Sequence, residues 1–197
     1  MYRVALALGL RRGEVCGLLW SDVDFENARI KITGMLQRQN GKLERTPTKT
    51  KASTATLALP PVLLRTLRQH KERQNEERAE AEDWEETGYV FASERGTPLE
   101  PRNLSRHFKR VLKKLGLPET IRFHDLRHSC ASLLIAQGED LTVVKDILRH
   151  SQISVTADYY VHIVEKTQRR AIEGLDTLLG DDAVLELPPR KVRKQEK

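Results

Sequence analysis

The chain has 197 residues, 39% hydrophobic and 31% charged, which suits one domain with a sizeable core beneath an ionic surface. Lysine and arginine number 34 against 28 aspartates and glutamates. The resulting +6 favours a polyanionic partner, because neutralising phosphates releases condensed counterions. No apolar run is long enough to span a bilayer, and no segment reads as a cleavable signal peptide.

Residues 2–8 carry an amphipathic pattern that predicts a helix ended by Gly9. A second helix is expected from Arg12 to Leu19. Gly9, Gly13 and Gly17, spaced by four, argue against one continuous helix. Arg11 therefore sits at a helix–helix junction. Asp22 and Asp24 mark a turn. Arg29-Ile30-Lys31-Ile32 alternates as a strand, and Asn40-Gly41 is a strong hairpin signal. A third strand is expected over residues 54–59, giving a small antiparallel sheet within residues 29–59. Pro60-Pro61 ends it and starts a helix that packs through Val62, Leu63, Leu64 and Leu67; beyond His70 that helix turns charged and solvated. Tyr89-Val90-Phe91 is a short apolar stretch. Further helices are expected at about 101–115, 124–137, 141–149 and 153–160, with a last amphipathic one over 163–179. Residues 181–197 read as a basic, disordered tail. The fold class is α+β, mainly α, with a small antiparallel three-stranded sheet. Cys16 and Cys130 fall in apolar helical patterns and read as reduced, buried thiols of a cytosolic protein.

The chemistry-bearing residues concentrate late in the chain. His124-Asp125-Leu126-Arg127-His128 is followed by His150-Ser151 and then by Tyr160-Val161-His162. His124 and Arg127 are three apart and share a helix face. A guanidinium grips two phosphate oxygens and keeps its charge; an imidazole moves protons near neutral pH. His124 and His128 also have helical zinc-ligand spacing, but Asp125 replaces the usual Glu and Arg127 would set a cation beside the metal. No metal is expected. Arg11 and Glu14 have the spacing of an ordinary surface ion pair. Tyr159 and Tyr160 are adjacent, and adjacent side chains on a helix diverge by about 100°. A phenol becomes a nucleophile only when its neighbours favour the phenolate. Arg102, Arg106 and Lys109 lie at helical spacing and suit either phosphate contacts or a solvated face.

Six segments, in this order, resemble the catalytic domain of the tyrosine recombinases, the phage-integrase family. They are Gly9-Leu10-Arg11-Arg12-Gly13-Glu14, Leu19-Trp20-Ser21-Asp22-Val23-Asp24, Thr48-Lys49-Thr50-Lys51, His124-Asp125-Leu126-Arg127-His128-Ser129, Leu148-Arg149-His150-Ser151 and Tyr160-Val161-His162. Each is weak alone; six in order are specific. The resemblance implies that Arg11 and Arg127 clamp the scissile phosphate and that His124 assists proton transfer. It implies that His150 positions the phosphate and that Lys49 protonates the leaving 5′ oxygen, with Lys51 as the alternative. Tyr160 is implied as the nucleophile that forms a 3′-phosphotyrosyl bond, chosen over Tyr159 because His162 follows it by two. Lys51 is also a candidate DNA contact, with Arg102, Arg106 and Lys109.

The expected activity is site-specific DNA strand cleavage and rejoining, without metal, small-molecule cofactor or membrane. The alternatives are an inactive DNA-binding remnant and a nicking activity like that of type IB topoisomerases. The expected partner is double-stranded DNA, in the cytoplasm at the nucleoid, with a homo-tetramer formed on DNA through the 163–179 helix. Residues 1–180 are expected to form the catalytic domain of a longer protein, whose N-terminal DNA-binding portions would precede Met1. Two departures from the family pattern stand out. Arg149 occupies the place of a glycine before His150, and Ser53-Thr54-Ala55-Thr56 lacks basic residues.

Overall fold

A computed structural model of the chain describes residues 1–47 and 54–150. Lys49, Lys51, Tyr159 and Tyr160 lie outside the described residues, as do the helices expected at 153–160 and 163–179 and the 181–197 tail. Among the described residues are six α-helices: α1 (Tyr2–Ala7), α2 (Arg12–Cys16), α3 (Pro61–Glu80), α4 (Pro101–Lys114), α5 (Asp125–Ala136) and α6 (Leu141–Leu148). Five strands lie between α2 and α3: β1 (Val23–Asp24), β2 (Arg29–Ile32), β3 (Gly34–Gln39), β4 (Lys42–Pro47) and β5 (Ala55–Ala58). The class is mixed α+β and mainly helical, as expected from the sequence.

The three-stranded antiparallel sheet has the order β1-β2-β5, with Ile30 opposite Val23 on one side and Leu57 on the other. The Asn40-Gly41 hairpin forms a separate two-stranded ribbon, β3-β4. Both turn residues have positive φ, 47° and 80°, as a tight two-residue hairpin requires. Arg45 ties the ribbon to the end of α2 and to residues flanking the sheet. Its Nε donates to the Gly17 carbonyl at 2.8 Å and its Nη2 to the Thr33 hydroxyl at 2.5 Å and to Asp22 at 3.3 Å.

The helix is interrupted as the glycine spacing suggested, with Gly17 at the C-cap of α2, and Gly13 and Gly17 have a second purpose. A Cβ on Gly13 would stand 2.9 Å from the Leu36 carbonyl oxygen, and one on Gly17 would stand 2.8 Å from the Leu36 nitrogen. Helix α2 therefore lies directly against the β3 backbone, and it stops at Cys16, three residues short of the expected Leu19.

Proline opens α3 and α4 at a position where its missing N–H costs no hydrogen bond. Leu63 and Leu67 of α3 are buried and Leu64 is partly buried against the core, but Val62 is half exposed, so it leaves the packing set. The charged half of α3 is not wholly solvated. Gln74 is buried, accepts from the Trp20 indole at 2.6 Å and donates to the Tyr89 and Val90 carbonyls at 3.3 Å. On α5, Arg127, Cys130, Ala131 and Ile135 form the buried face, which packs on α1 and α6. Cys16 and Cys130 are free, buried thiols. No helix among the described residues is long and apolar enough to cross a membrane.

Candidate functional site

Arg11 stands in the joint between α1 and α2. Its extended backbone (φ −70°, ψ 152°) makes it the N-cap of α2. The Arg11 backbone N–H donates to Glu14 Oε2 at 2.7 Å, and Nη1 donates to Oε1 at 2.8 Å. This is no surface ion pair. The Glu14 side chain is 2% exposed while that of Arg11 keeps 39%, so a buried carboxylate anchors a guanidinium that reaches the surface.

Arg127, in the first turn of α5, points inward and is 2% exposed. Its Nη1 donates to the Gly9 carbonyl at 2.5 Å and its Nη2 to the Leu148 carbonyl. Gly9 lies just past the end of α1 and Leu148 is the last residue of α6. One guanidinium thus satisfies carbonyls at two helix ends that their own helices leave unpaired. Two of its N–H donors are committed this way, out of the five such a group carries.

Helix α6 begins at Asp140, whose carboxylate accepts from the Thr142 N–H at 2.6 Å. It closes with Arg149 N–H on the Asp146 carbonyl at 3.1 Å and His150 N–H on the Lys145 carbonyl at 3.0 Å. That pair of bonds needs a left-handed residue, and Arg149 supplies it with φ 57° and ψ 45°. The Arg149 side chain then folds back into the interior. Its Nη2 donates to Glu14 Oε2 at 2.8 Å and to the Gly9 carbonyl at 3.4 Å. Arg11 Nη2 reaches the Arg149 carbonyl at 3.5 Å.

Charge and burial act together here. Burial, then the charges of Arg127, Arg11, His128 and Arg149, lower the His150 pKa to about 4. Burial, then His128, Arg127, Arg11 and Arg122, also lower that of His124. Both imidazoles are therefore neutral at neutral pH. Burial alone would raise the Glu14 pKa, but Arg149 and Arg11 outweigh it and keep the carboxylate ionised. Arg11, His124, Arg127 and His150 thus share one electrostatic neighbourhood, assembled from both ends of the described chain. The His124 and His128 rings meet edge to face at 5.1 Å. Among the described residues no group of three or more His, Cys, Asp or Glu is placed to hold a metal ion.

Beside His124 opens a cleft of about 540 Å³. Arg12, Arg106, Lys109 and Arg122 line it, with Ser105 and Phe123. Arg12 bridges α2 to α4 through the Ser105 hydroxyl at 2.7 Å. Two of the three basic residues singled out on α4, Arg106 and Lys109, thus face the site. Arg102 lines a second cleft, of about 330 Å³, with Arg12, Arg38 and Glu100. Sequence reasoning missed Arg12 and Arg122 as cleft residues and Glu14 as a buried anchor. The Arg-x-x-Glu spacing was the available signal, but the same spacing also fits a solvated pair. Chemically, the site offers fixed cations and neutral imidazoles around one small region. That suits a reacting phosphate, whose transition state gains negative charge.

The model of the phage integrase family matches residues 1–167. A tyrosine recombinase XerC-like protein of Caldanaerobacter subterraneus subsp. tengcongensis is 35% identical over 192 residues, covering 90% of this chain and 49% of that protein. The ICEBs1 integrase of Bacillus subtilis is 34% identical over 185 residues, covering 90% of this chain and 48% of the integrase. The chain spans about half the length of these relatives. Among solved structures, the Tn1549 transposon integrase in complex with transposon right end DNA aligns with a TM-score of 0.75 at 24% identity, over 88% of this chain and 57% of that one. The XerH site-specific recombinase bound to palindromic difH substrate aligns at 0.63 and 22%, over 86% of this chain and 43% of that one. These structural likenesses establish the fold.

Proposed function

The chain belongs to the phage integrase family, the tyrosine recombinases, and on that premise we propose that it is the catalytic part of a site-specific DNA recombinase. It cuts one strand of duplex DNA and rejoins it through a covalent tyrosyl intermediate. The observation that carries this reading is the convergence of Arg11, Arg127, His124 and His150 around the end of α6. Arg11 and Arg127 take the non-bridging oxygens of the scissile phosphate. His124 and His150, neutral before DNA arrives, accept or donate one hydrogen bond each at the phosphate or the nucleophile. Tyr160 passes its phenolic proton to the neutral His124 as its oxygen attacks phosphorus, the bond to the 5′ oxygen breaks, and Lys49 (or Lys51) gives that oxygen a proton. The new phosphotyrosyl ester keeps the energy of the phosphodiester, so the reverse attack by a 5′-hydroxyl reseals the strand without ATP. Tyr160, Lys49 and Lys51 enter this scheme on the family pattern.

Residues 1–180 form the catalytic domain in this reading, and 181–197 a basic tail. The cleft lined by Arg12, Arg106, Lys109 and Arg122 receives DNA backbone next to the scissile phosphate, with Arg102 extending that contact. The 163–179 segment joins protomers in a DNA-bound tetramer, and the protein works at the nucleoid without metal or cofactor. The likeness to the ICEBs1 integrase of Bacillus subtilis supports a mobile-element role.

The test is a duplex nicked near the cleavage point, which traps the covalent product. The chain should form an adduct that survives denaturation and disappears in Tyr160→Phe. Duplex binding with no adduct would instead establish a non-enzymatic DNA-binding protein. Supercoil relaxation without strand exchange would limit the activity to nicking and resealing.

A further inference from the structure

We propose that Arg149 is a positioning residue: a third guanidinium, behind the two that meet the phosphate, that holds Glu14 against Arg11 and shares the Gly9 carbonyl with Arg127. The phosphate part of this inference rests on the function proposed above.

Arg149 is an unfavourable residue for its place. The helix closure puts it in the left-handed region, at φ 57°, which glycine adopts without cost. Its charge is buried, with a side-chain exposure of 0%. Its Nε is buried with no hydrogen-bond partner among the described residues. Three separate penalties fall on one side chain, and a glycine at this position would avoid them all.

One of the side chain's bonds is local, from Nη1 to the Ile147 carbonyl of α6 at 2.8 Å; the others lie within the site. Glu14 Oε2 accepts from Arg149 Nη2 at 2.8 Å and from the Arg11 backbone N–H at 2.7 Å, while Oε1 accepts from Arg11 Nη1 at 2.8 Å. The carboxylate is thus held from two sides. Without Arg149 only the Arg11 backbone N–H would hold Oε2, and the anchor of the exposed Arg11 guanidinium would loosen. Charge is settled by the same contact. A lone Glu14 would neutralise Arg11; shared with Arg149, it leaves a positive excess of two among three guanidiniums. Arg149 also restrains Arg127, because both donate to Gly9, at 3.4 and 2.5 Å. Its backbone carbonyl lies 3.5 Å from Arg11 Nη2, and the turn it makes sets the direction of His150. A positive charge held where the reaction needs it requires no rearrangement as the transition state forms.

The test uses the full chain with Arg149→Gly, which keeps the helix closure, and Arg149→Lys, which keeps a charge without the fork. At saturating nicked duplex, Arg149→Gly should slow adduct formation on the order of tenfold, with duplex affinity within a few-fold. Arg149→Lys should recover part of that rate. In a Glu14→Gln background, Arg149→Gly should add little further loss. An unchanged rate, or losses of rate, affinity and thermal midpoint in parallel, would overturn the proposal. A direct measurement stands apart from catalysis. The Arg11 Nε–H resonance, assigned by its loss in Arg11→Lys, should exchange faster with solvent in Arg149→Gly. An unaltered resonance overturns the positioning role even if the wild-type chain forms no adduct, an outcome that separately removes the proposed activity.

Discussion

Arg127 and Arg149 donate to the same oxygen, the Gly9 carbonyl, from 2.5 and 3.4 Å. Two like charges meet there because α1 ends in a left-handed glycine (φ 56°) that frees this carbonyl, and because Glu14 supplies the balancing charge beside them. Burial first, then Arg11 and Arg149, press the Arg127 pKa down to about 9, so the group still carries its proton at neutral pH. The arrangement gives these side chains a structural role beside the chemical one proposed for the site, and the predictions separate the two contributions.

Replacing Arg127 with alanine removes the proposed phosphate ligand, strands the Leu148 carbonyl and leaves the Gly9 carbonyl only the longer bond from Arg149. Adduct formation should fall by about 10²–10³. Stability should fall by about 1–3 kcal/mol for the buried carbonyl left unpaired. Duplex binding should stay within a few-fold, since most affinity comes from other backbone contacts. Denaturant melts and single-turnover trapping on the same samples report the two effects; a rate loss no larger than the loss of folded protein would leave Arg127 a purely structural residue.

Glu14→Gln preserves shape and deletes the charge between Arg11 and Arg149. Both partners of the Arg149–Glu14 pair are almost wholly buried, at 0% and 2% exposure. Leaving Arg149 unpaired should cost about 3–5 kcal/mol. The urea midpoint should drop accordingly, and a shift of only a few tenths of a kcal/mol would mean that water reaches this pair.

The His150 pKa near 4 also predicts how stability depends on pH. In the unfolded chain this histidine titrates near its ordinary 6.5. Between those values the unfolded state binds the extra proton, so stability rises with pH across that window. On acidification it falls from about pH 6.5 and levels off, for this group, below about pH 4. The lowered pKa values of His124 and His70 add slopes of the same sign. Thermal midpoints recorded from pH 4 to 8 should flatten in His150→Gln; an unchanged slope would show that other groups carry the effect.

The basic cleft makes a prediction about salt. Arg106→Ala should weaken duplex binding nearly uniformly across sequences. The slope of log K against log salt should fall by about one unit for each phosphate that the variant leaves unneutralised. Titrations at several salt concentrations on two unrelated duplexes suffice, and a weakening confined to one sequence would instead place Arg106 at a base edge.

Local rules carried much of the fold. Arg29–Ile32, Asn40-Gly41 and Pro61 each announce a strand, a turn and a helix start through their own backbone chemistry, and each stands where expected. The two-residue β1 carries no alternation and so could not be read. The second role of Gly13 and Gly17 could not be read, because a close approach to β3 leaves no trace along the chain itself. In the site, His124-x-x-Arg127 and Arg11 were legible as types of residue, but their depth was not. A buried arginine and a buried glutamate look like surface residues until the carbonyls and charges that satisfy them arrive from distant segments. Arg149 is the clearest case. A non-glycine residue at a glycine position signalled that something was different, and only the fold shows that its side chain turns inward to Glu14.

The contacts that build the clamp join residues 118, 135 and 140 positions apart in sequence. Closing loops of that length is costly until most of the core has formed, so such contacts arrive late in folding. A nascent or damaged molecule with intact helices would still lack the assembled cations. If the chain has the activity proposed above, strand cleavage would have to wait for folding to finish.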